Sequence, residues 1–174
     1  PPRREDRPDP RPAGDKIQAK KKCKGKLMDD LIIRKLEEKD LEELSLLYKQ
    51  FWNEESNIRK MREKYQKIKN NPNYVILSAV INGKNVGSIY GVVCEELYGS
   101  CKPFLLMEDL IVDKNVRRKG IGKALLEKLE KIGNEKKCSQ IIFITETNRV
   151  DAVSFYEKMG FNSKTHTGFK KQLN

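Results

Sequence analysis

A turn with two glycines and four basic residues follows an apolar segment near the middle of the chain. The apolar segment, residues 105–112, reads LLMEDLIV, and the turn comprises Arg117, Arg118, Lys119, Gly120, Ile121, Gly122 and Lys123. Glycine lets the backbone approach a ligand closely, and the first N–H groups of a helix have no partner within the helix. Because the helix dipole adds partial positive charge at that end, the pattern predicts a site for a phosphate group.

Two common nucleotide-binding motifs do not fit this turn. A P-loop needs an earlier glycine where Arg117 stands and a hydroxyl side chain where Ala124 stands. A dinucleotide-binding fingerprint needs a third glycine, and Leu125 occupies that position. The phosphate site therefore belongs to a different pattern, R-x-x-G-x-G, which follows a strand that ends in L-x-V.

The net charge of +11 is unevenly distributed. Residues 1–27 hold ten of the 36 lysines and arginines and four of the 25 acids, so they contribute +6. This leader has too few large apolar groups to fold by itself, and Met28 opens a different composition. We expect a non-native or flexible leader at 1–27 and one domain at 28–174. The alternative is a leader that acts as a basic arm for nucleic acid or an acidic partner.

Composition limits the other classes of partner. The +5 carried by residues 28–174 gives no reason to expect nucleic acid as a partner. No apolar run is long enough to span a bilayer, so no membrane partner is expected. The four cysteines form no C-x-x-C pair and His166 is the only histidine, so no metal site is predicted. Reduced thiols in a cytoplasmic protein are the expectation.

The hydrophobic pattern predicts the element order β-α-α-β-β-β-α-β-α-β-β, which is a mixed sheet with helices packed on it. The Asn82-Gly83 dipeptide between two apolar runs predicts a hairpin, and Gly160 predicts the end of the last helix. Strands are expected at residues 31–33, 74–81, 85–93, 102–112 and 140–145, with two short ones around 167–168. Helices are expected at residues 40–52, 56–69, 120–136 and 150–159.

Two motifs of the chain, and the distance between them, resemble those of the GNAT superfamily of acetyl-CoA-dependent N-acetyltransferases. The resemblance covers residues 31–174. The first is the glycine turn, and the second is NRVDAVSFYEKMGF at residues 148–161, similar to the family's N-x-x-A-x-x-x-Y-x-x-x-G-F. Three residues separate Asn148 from Ala152 where the family has two. The resemblance implies an α/β (α+β) fold with a mostly antiparallel sheet of about seven strands and four helices. The sequence EDLIV before the turn also resembles the polyamine (spermidine/spermine) acetyltransferase branch.

The resemblance implies that acetyl-CoA binds between two diverging strands, residues 105–112 and 140–145. The Leu110 N–H would polarise the thioester carbonyl, and Tyr156 would protonate the departing sulfur. A packed helix aromatic is the alternative for Tyr156. The implied cofactor-binding residues are Leu110, Ile111, Val112, Arg117, Arg118, Lys119, Gly120, Ile121, Gly122, Lys123, Asn148 and Tyr156.

Strand alternation predicts that Glu108 lies on the same face as Leu110 and Val112, with Asp109 on the opposite face. Glu108 is thus a candidate to accept a proton from an ammonium substrate, and a structural salt bridge is the alternative. Glu54 and Glu55 are candidates for binding a cationic acceptor. Trp52 is either a wall for stacking an amine or a core tryptophan.

We therefore expect an N-acetyltransferase that transfers acetyl directly to a small cationic amine, such as a polyamine or an aminoglycoside, in a ternary complex. The alternatives are a protein or peptide N-acetyltransferase and a non-catalytic acyl-CoA-binding module. A homodimer is possible, because dimers are frequent in the family that the sequence resembles.

Overall fold

The computed structural model describes residues 30–173, and residues 1–29 and 174 lie outside it. The leader expected at 1–27 therefore lies outside the described residues. The strands are β1 (Ile32–Lys35), β2 (Tyr74–Ile81), β3 (Lys84–Cys94), β4 (Phe104–Val112) and β5 (Ile141–Ile142). The α-helices are α1 (Leu41–Trp52), α2 (Ile58–Ile68), α3 (Ile121–Glu135) and α4 (Val150–Lys158), and short 3-10 turns occur at Glu38–Asp40 and Lys114–Val116.

The strands form one sheet in the order β1-β2-β3-β4-β5. The first four are antiparallel to their neighbours, and β5 runs parallel to β4. The expected fold class is confirmed, but the expected count of about seven strands is wrong for residues 30–173. Residues 162–173 form no strand, because their sequence is mostly polar and Phe169 and Leu173 are exposed. The strand expected at 140–145 is reduced to Ile141–Ile142.

Local signals in the sequence set several boundaries. Asn82 and Gly83 both have positive φ, 50° and 78°, as a two-residue hairpin of type I′ requires. The Asn57 side chain accepts a hydrogen bond from the Lys60 N–H and so caps α2. Gly160 follows α4 with φ of 91°, the left-handed conformation expected just after a helix.

The sheet separates two apolar cores. On one face α3 contributes Leu125 and Leu129 to a core that includes Ile89 and Leu105. On the other face α1 contributes Leu41, Leu44 and Leu47, which pack with Leu36 and Ile111, and α2 covers this core from outside. Each face therefore carries its own helices, and β4 is in contact with both cores.

A buried carboxylate stabilises the 3-10 turn that precedes α1. The Asp40 side chain is 2% exposed and accepts two hydrogen bonds from the Arg34 guanidinium, at 2.6 and 2.8 Å. It also accepts the Glu37 N–H at 2.8 Å. Burial alone would raise the pKa of Asp40, but these hydrogen bonds outweigh it and hold the pKa below its usual value.

Candidate functional site

β4 and β5 diverge soon after they meet. Only Leu105 and Leu106 of β4 pair with β5, and the Leu105 N–H donates to the Gln140 carbonyl at 2.9 Å. Beyond Leu106 no strand within residues 30–173 pairs with the outer edge of β4. The main-chain groups on that edge are free to bind an extended ligand, and the expected gap between diverging strands is present.

The glycine turn places an uncapped helix N-terminus beside this edge. Gly120 precedes α3 with φ of 93°, and no side chain caps the helix. A Cβ atom added at Gly122 would lie 3.7 Å from Val112 Cγ2 and 3.8 Å from Phe155 Cζ, which are ordinary van der Waals distances. Free N–H groups and the helix dipole converge here, which suits a diphosphate.

The basic residues of the turn have different partners. Arg117 Nε donates to the Val112 carbonyl at 2.9 Å and so links the turn to the end of β4. Arg118 lies 3.2 Å from Asp151 at the start of α4, and both side chains are exposed. Lys123 lies 3.6 Å from Glu127 on the next turn of α3. Exposed pairs of this kind are weak, so these bases remain available to an anion.

A β-bulge in β4 changes the direction of the neighbouring carboxylates. Tyr90 is opposite Glu108 and Ser88 is opposite Ile111, so Asp109 and Leu110 together face one residue of β3. Asp109 adopts φ of 53° at this point. Glu108 shares the face of Tyr90, and Asp109 lies 3.4 Å from Tyr48 on α1, so both carboxylates are on the α1 face.

The expected alternation in β4 is therefore wrong. Leu110 and Val112 pack against the core on the α3 face, away from Glu108. A regular strand would have separated Glu108 from Asp109, but the extra residue of the bulge brings the two to one side.

Asp109 lies in a cavity of about 770 Å³ between α1, α2 and the sheet, which we call the acceptor cavity. Of the four substrate-binding candidates from the sequence, three also line it, namely Trp52, Glu54 and Glu55. Trp52 is 48% exposed, so it is a wall of this cavity and not a core residue. Glu55 pairs with Lys49. Glu108 is exposed and does not line the cavity.

Burial controls the protonation of both carboxylates. It raises the pKa of Asp109, and the hydrogen bond from Tyr48 acts in the opposite direction. Burial also raises the pKa of Glu108; the charge of Asp109 adds to this rise, and Lys170 opposes it. Because their pKa values lie above the usual range, these groups are better proton acceptors than ordinary surface carboxylates.

Tyr156 lies on α4 in a cluster of aromatic rings. Its ring centroid is 4.4 Å from that of Phe143, in the segment after β5, and 6.0 Å from that of Phe161. Within residues 30–173 its hydroxyl has no hydrogen-bond partner among the side chains or the backbone. Burial raises the pKa of Tyr156, although Arg149 opposes this, so the phenol remains protonated at neutral pH.

Asn148 is exposed in the turn before α4. The next residue, Arg149, lies over the Phe51 ring of α1 with 4.6 Å between the guanidinium carbon and the ring centroid. Within residues 30–173 no hydrogen bond joins the Asn148 side chain to the glycine turn. Arg149 thus connects α4 to α1, and Arg118 connects α4 to the glycine turn.

The sequence analysis missed Tyr48, Tyr90 and the cavity-facing position of Asp109. All three line the acceptor cavity. Tyr48 occupies a position on the apolar face of α1, so the sequence pattern indicates a core residue and no function. The adjacent acids Glu108 and Asp109 were a signal, but only the register of β4 against β3 reveals that they share a face.

Comparisons with known proteins agree with this architecture. A model of the acetyltransferase (GNAT) family matches residues 41–161. An uncharacterised Bacillus subtilis (strain 168) protein, YxbD, is 32% identical over 103 residues, and the alignment covers 56% of this chain and 64% of that protein. The match therefore spans less than two thirds of this relative.

Solved structures share the fold. A protein of Agrobacterium tumefaciens strain C58, provisionally described as an acetyltransferase, superposes with a TM-score of 0.76 at 21% identity, over 82% of this chain and 99% of that one. The aminoglycoside N-acetyltransferase AAC(6')-Iy, solved in complex with CoA, superposes with a TM-score of 0.69 at 19% identity, over 82% and 94% of the two chains.

Proposed function

This chain belongs to the acetyltransferase (GNAT) family, and on that premise we propose that it is an N-acetyltransferase that moves acetyl from acetyl-CoA directly to a small primary amine. Members of this family use acetyl-CoA, as was expected from the sequence. Direct transfer is proposed because no cysteine lies at the diverging strands or lines the acceptor cavity within residues 30–173.

The glycine turn and the free edge of β4 would hold the cofactor. The N–H groups of Ile121, Gly122 and Lys123 bind the diphosphate, and Gly120 allows the backbone to approach it. Arg117, Arg118 and Lys119 supply countercharge. The main chain of residues 110–112 aligns the extended arm, and Asn148 and Tyr156 line its α4 side. Bound acetyl-CoA supplies the acetyl group as an activated thioester.

The β-bulge supplies the observation that carries the proposal. Leu110 belongs to the part of β4 beyond Leu106, where β5 no longer pairs with it, and its neighbour Asp109 lines the acceptor cavity. The proposed thioester site at Leu110 and the proposed amine site at Asp109 are therefore formed by adjacent residues. Such close approach of two reactants is the main requirement for acyl transfer.

The proton transfers are assigned to groups on opposite sides of β4. An amine reaches the cavity as an ammonium ion, which Asp109 binds. Glu108, at the exposed end of the same face, accepts the proton directly or through water. The Leu110 N–H stabilises the developing negative charge on the acetyl oxygen. Tyr156 donates a proton to the departing sulfur.

An amine panel with acetyl-CoA tests the proposal. Thiol release above the amine-free rate is expected for small primary amines. Peptides with a free N-terminus and peptides with an internal lysine form two further arms, because acetylation of those alone would favour a protein acceptor. Tight binding of coenzyme A with no thiol release for any amine or peptide would overturn the proposal and identify an acyl-CoA-binding module.

A further inference from the structure

The acceptor cavity carries both signs of charge. Its acidic lining residues are Glu54, Glu55 and Asp109, and its basic lining residues are Lys60 and Lys64. Glu55 is already paired with Lys49. The remaining two carboxylates and two lysines balance each other, so the cavity is not the acidic pocket that a polyamine would require.

The two lysines form a separate basic edge of the cavity. Lys60 and Lys64 are four residues apart on α2, so their side chains lie on the same face of that helix. Within residues 30–173 neither has a carboxylate partner, whereas Arg59 and Arg62 on the same helix are paired with Glu63 and Glu42.

Asp109 lies on a different wall. It belongs to the sheet, is partly buried, and is adjacent to Tyr48 and Tyr90, which also line the cavity. An aromatic wall beside a carboxylate suits an alkylammonium group. The sheet side of the cavity thus favours a cation, and the α2 side favours an anion.

We infer that the acceptor is a zwitterion, a small molecule whose primary ammonium group binds at Asp109 and whose carboxylate or phosphate binds at Lys60 and Lys64. This inference rests on the proposed function and narrows its acceptor from cationic amines in general. A diamine is disfavoured because its second cation would meet the positive charges of Lys60 and Lys64. Repulsion between the second ammonium group and the two lysines lowers the affinity for a diamine, whereas attraction between the anion and the two lysines raises the affinity for a zwitterion.

Four amines of similar length separate the possibilities: 4-aminobutyrate, 3-aminopropyl phosphate, 1,4-diaminobutane and butylamine. Trp52 is the only tryptophan of the chain and lines the cavity, so its fluorescence reports binding without any reaction. Thiol release is measured in parallel. We expect the two anion-bearing amines to bind and react about tenfold better than butylamine, and the diamine to be no better than butylamine. The ratio of the two anionic compounds distinguishes carboxylate from phosphate.

The double variant Lys60→Gln/Lys64→Gln tests the anion contact. It should remove the advantage of the anionic amines over butylamine. The matched control is Lys67→Gln/Lys69→Gln, which removes the same charge from the α2 end outside the cavity lining. A preference for 1,4-diaminobutane, or an anion preference that survives in the Lys60→Gln/Lys64→Gln variant, would overturn the inference while the acetyltransferase proposal stands. Zwitterion binding detected at Trp52 without thiol release from any amine would instead contradict the acetyltransferase proposal alone.

Discussion

Tyr48 and Asp109 are 61 residues apart in the sequence, yet Tyr48 Oη lies 3.4 Å from Asp109 Oδ2 on the wall of the acceptor cavity. The contact exists because the β-bulge turns Asp109 toward α1. The phenol donates to the carboxylate and favours its ionised form, against the effect of burial. Burial raises the pKa of Tyr48 far above its usual value, with the charge of Asp109 as the next cause. Tyr48 therefore stays a donor across the whole working range of pH.

Tyr48→Phe should move the acidic limb of kcat/KM for the amine to higher pH. The variant removes the hydrogen bond that lowers the pKa of Asp109, so a smaller fraction of the carboxylate is ionised at each pH on that limb. The measurement is a pH profile of thiol release at subsaturating amine. Tyr98→Phe, on the exposed loop after β3, is the control and should keep the original profile. An unshifted profile for Tyr48→Phe would remove Asp109 from amine binding.

Asp109→Asn and Glu108→Gln should affect different kinetic constants. Loss of the charge at Asp109 removes an interaction with the bound ammonium, so KM for the amine should rise about tenfold or more with a smaller change in kcat. Loss of the proton acceptor at Glu108 should lower kcat by about 100-fold. Steady-state kinetics measure both, and titration with coenzyme A should give the same Kd for the two variants and the parent. Identical kinetic effects of the two substitutions would contradict the separate roles.

Tyr156→Phe should lower kcat by about 100-fold or more and leave folding unchanged. The hydroxyl has no partner within residues 30–173, so its removal breaks no structural hydrogen bond, and the phenylalanine ring keeps the contacts with Phe143 and Phe161. The melting temperature and the turnover number are measured on the same sample. A normal kcat would show that Tyr156 is only a packed aromatic residue. A large fall in Tm would show that the lower activity results from disturbed packing.

Gly122→Glu should weaken coenzyme A binding without loss of stability. The added Cβ meets only ordinary contacts, at 3.7 Å from Val112 and 3.8 Å from Phe155. A carboxylate in the first turn of α3 is favourable to the helix, but it repels a diphosphate at the same N-terminus. Calorimetric titration with coenzyme A measures the loss. Lys128→Gln, exposed on the same helix, makes the same change in net charge and should bind normally. Equal affinity in both variants would show that the turn is not the phosphate site.

Asp40→Asn should destabilise the fold by about 2 kcal/mol, because the new amide donors face the Arg34 donors. The folded pKa of Asp40 is lowered, so its contribution is present above the unfolded pKa of about 3.9 and is lost as the pH falls through the folded pKa. Denaturant unfolding at pH 7 and below pH 4 should give a difference between parent and variant that shrinks in acid. Glu42→Gln breaks only an exposed pair with Arg62 and should cost less than about 1 kcal/mol. A difference that persists in acid would contradict the charge argument.

The sequence was sufficient to predict the features that depend on neighbouring residues. The hairpin at Asn82-Gly83, the cap at Asn57 and the end of α4 at Gly160 all depend on residues within four positions of each other. The glycine turn before α3 belongs to the same class, since its conformation and its free N–H groups follow from Gly120 and the helix start. The hydrophobic pattern supplied the order of the elements, and the family resemblance added the mostly antiparallel pairing of the strands, which no local pattern determines.

The sequence was not sufficient to predict the features that depend on contacts between distant parts of the chain. The segment LLMEDLIV reads as a regular strand, and nothing in it reveals that Ile89 of β3 faces two of its residues. The face of Asp109 therefore could not be predicted. The strands expected near residues 167–168 failed for a related reason, since a short polar segment forms a strand only if a neighbour buries one of its faces.

The divergence of β4 from β5 also carries a hazard. A bare strand edge can accept a strand from a second molecule as readily as it accepts a ligand. Concentrated preparations without coenzyme A should therefore be the ones that precipitate on storage. A tightly held ligand protects the chain twice, by occupying the edge and by shifting the unfolding equilibrium through mass action.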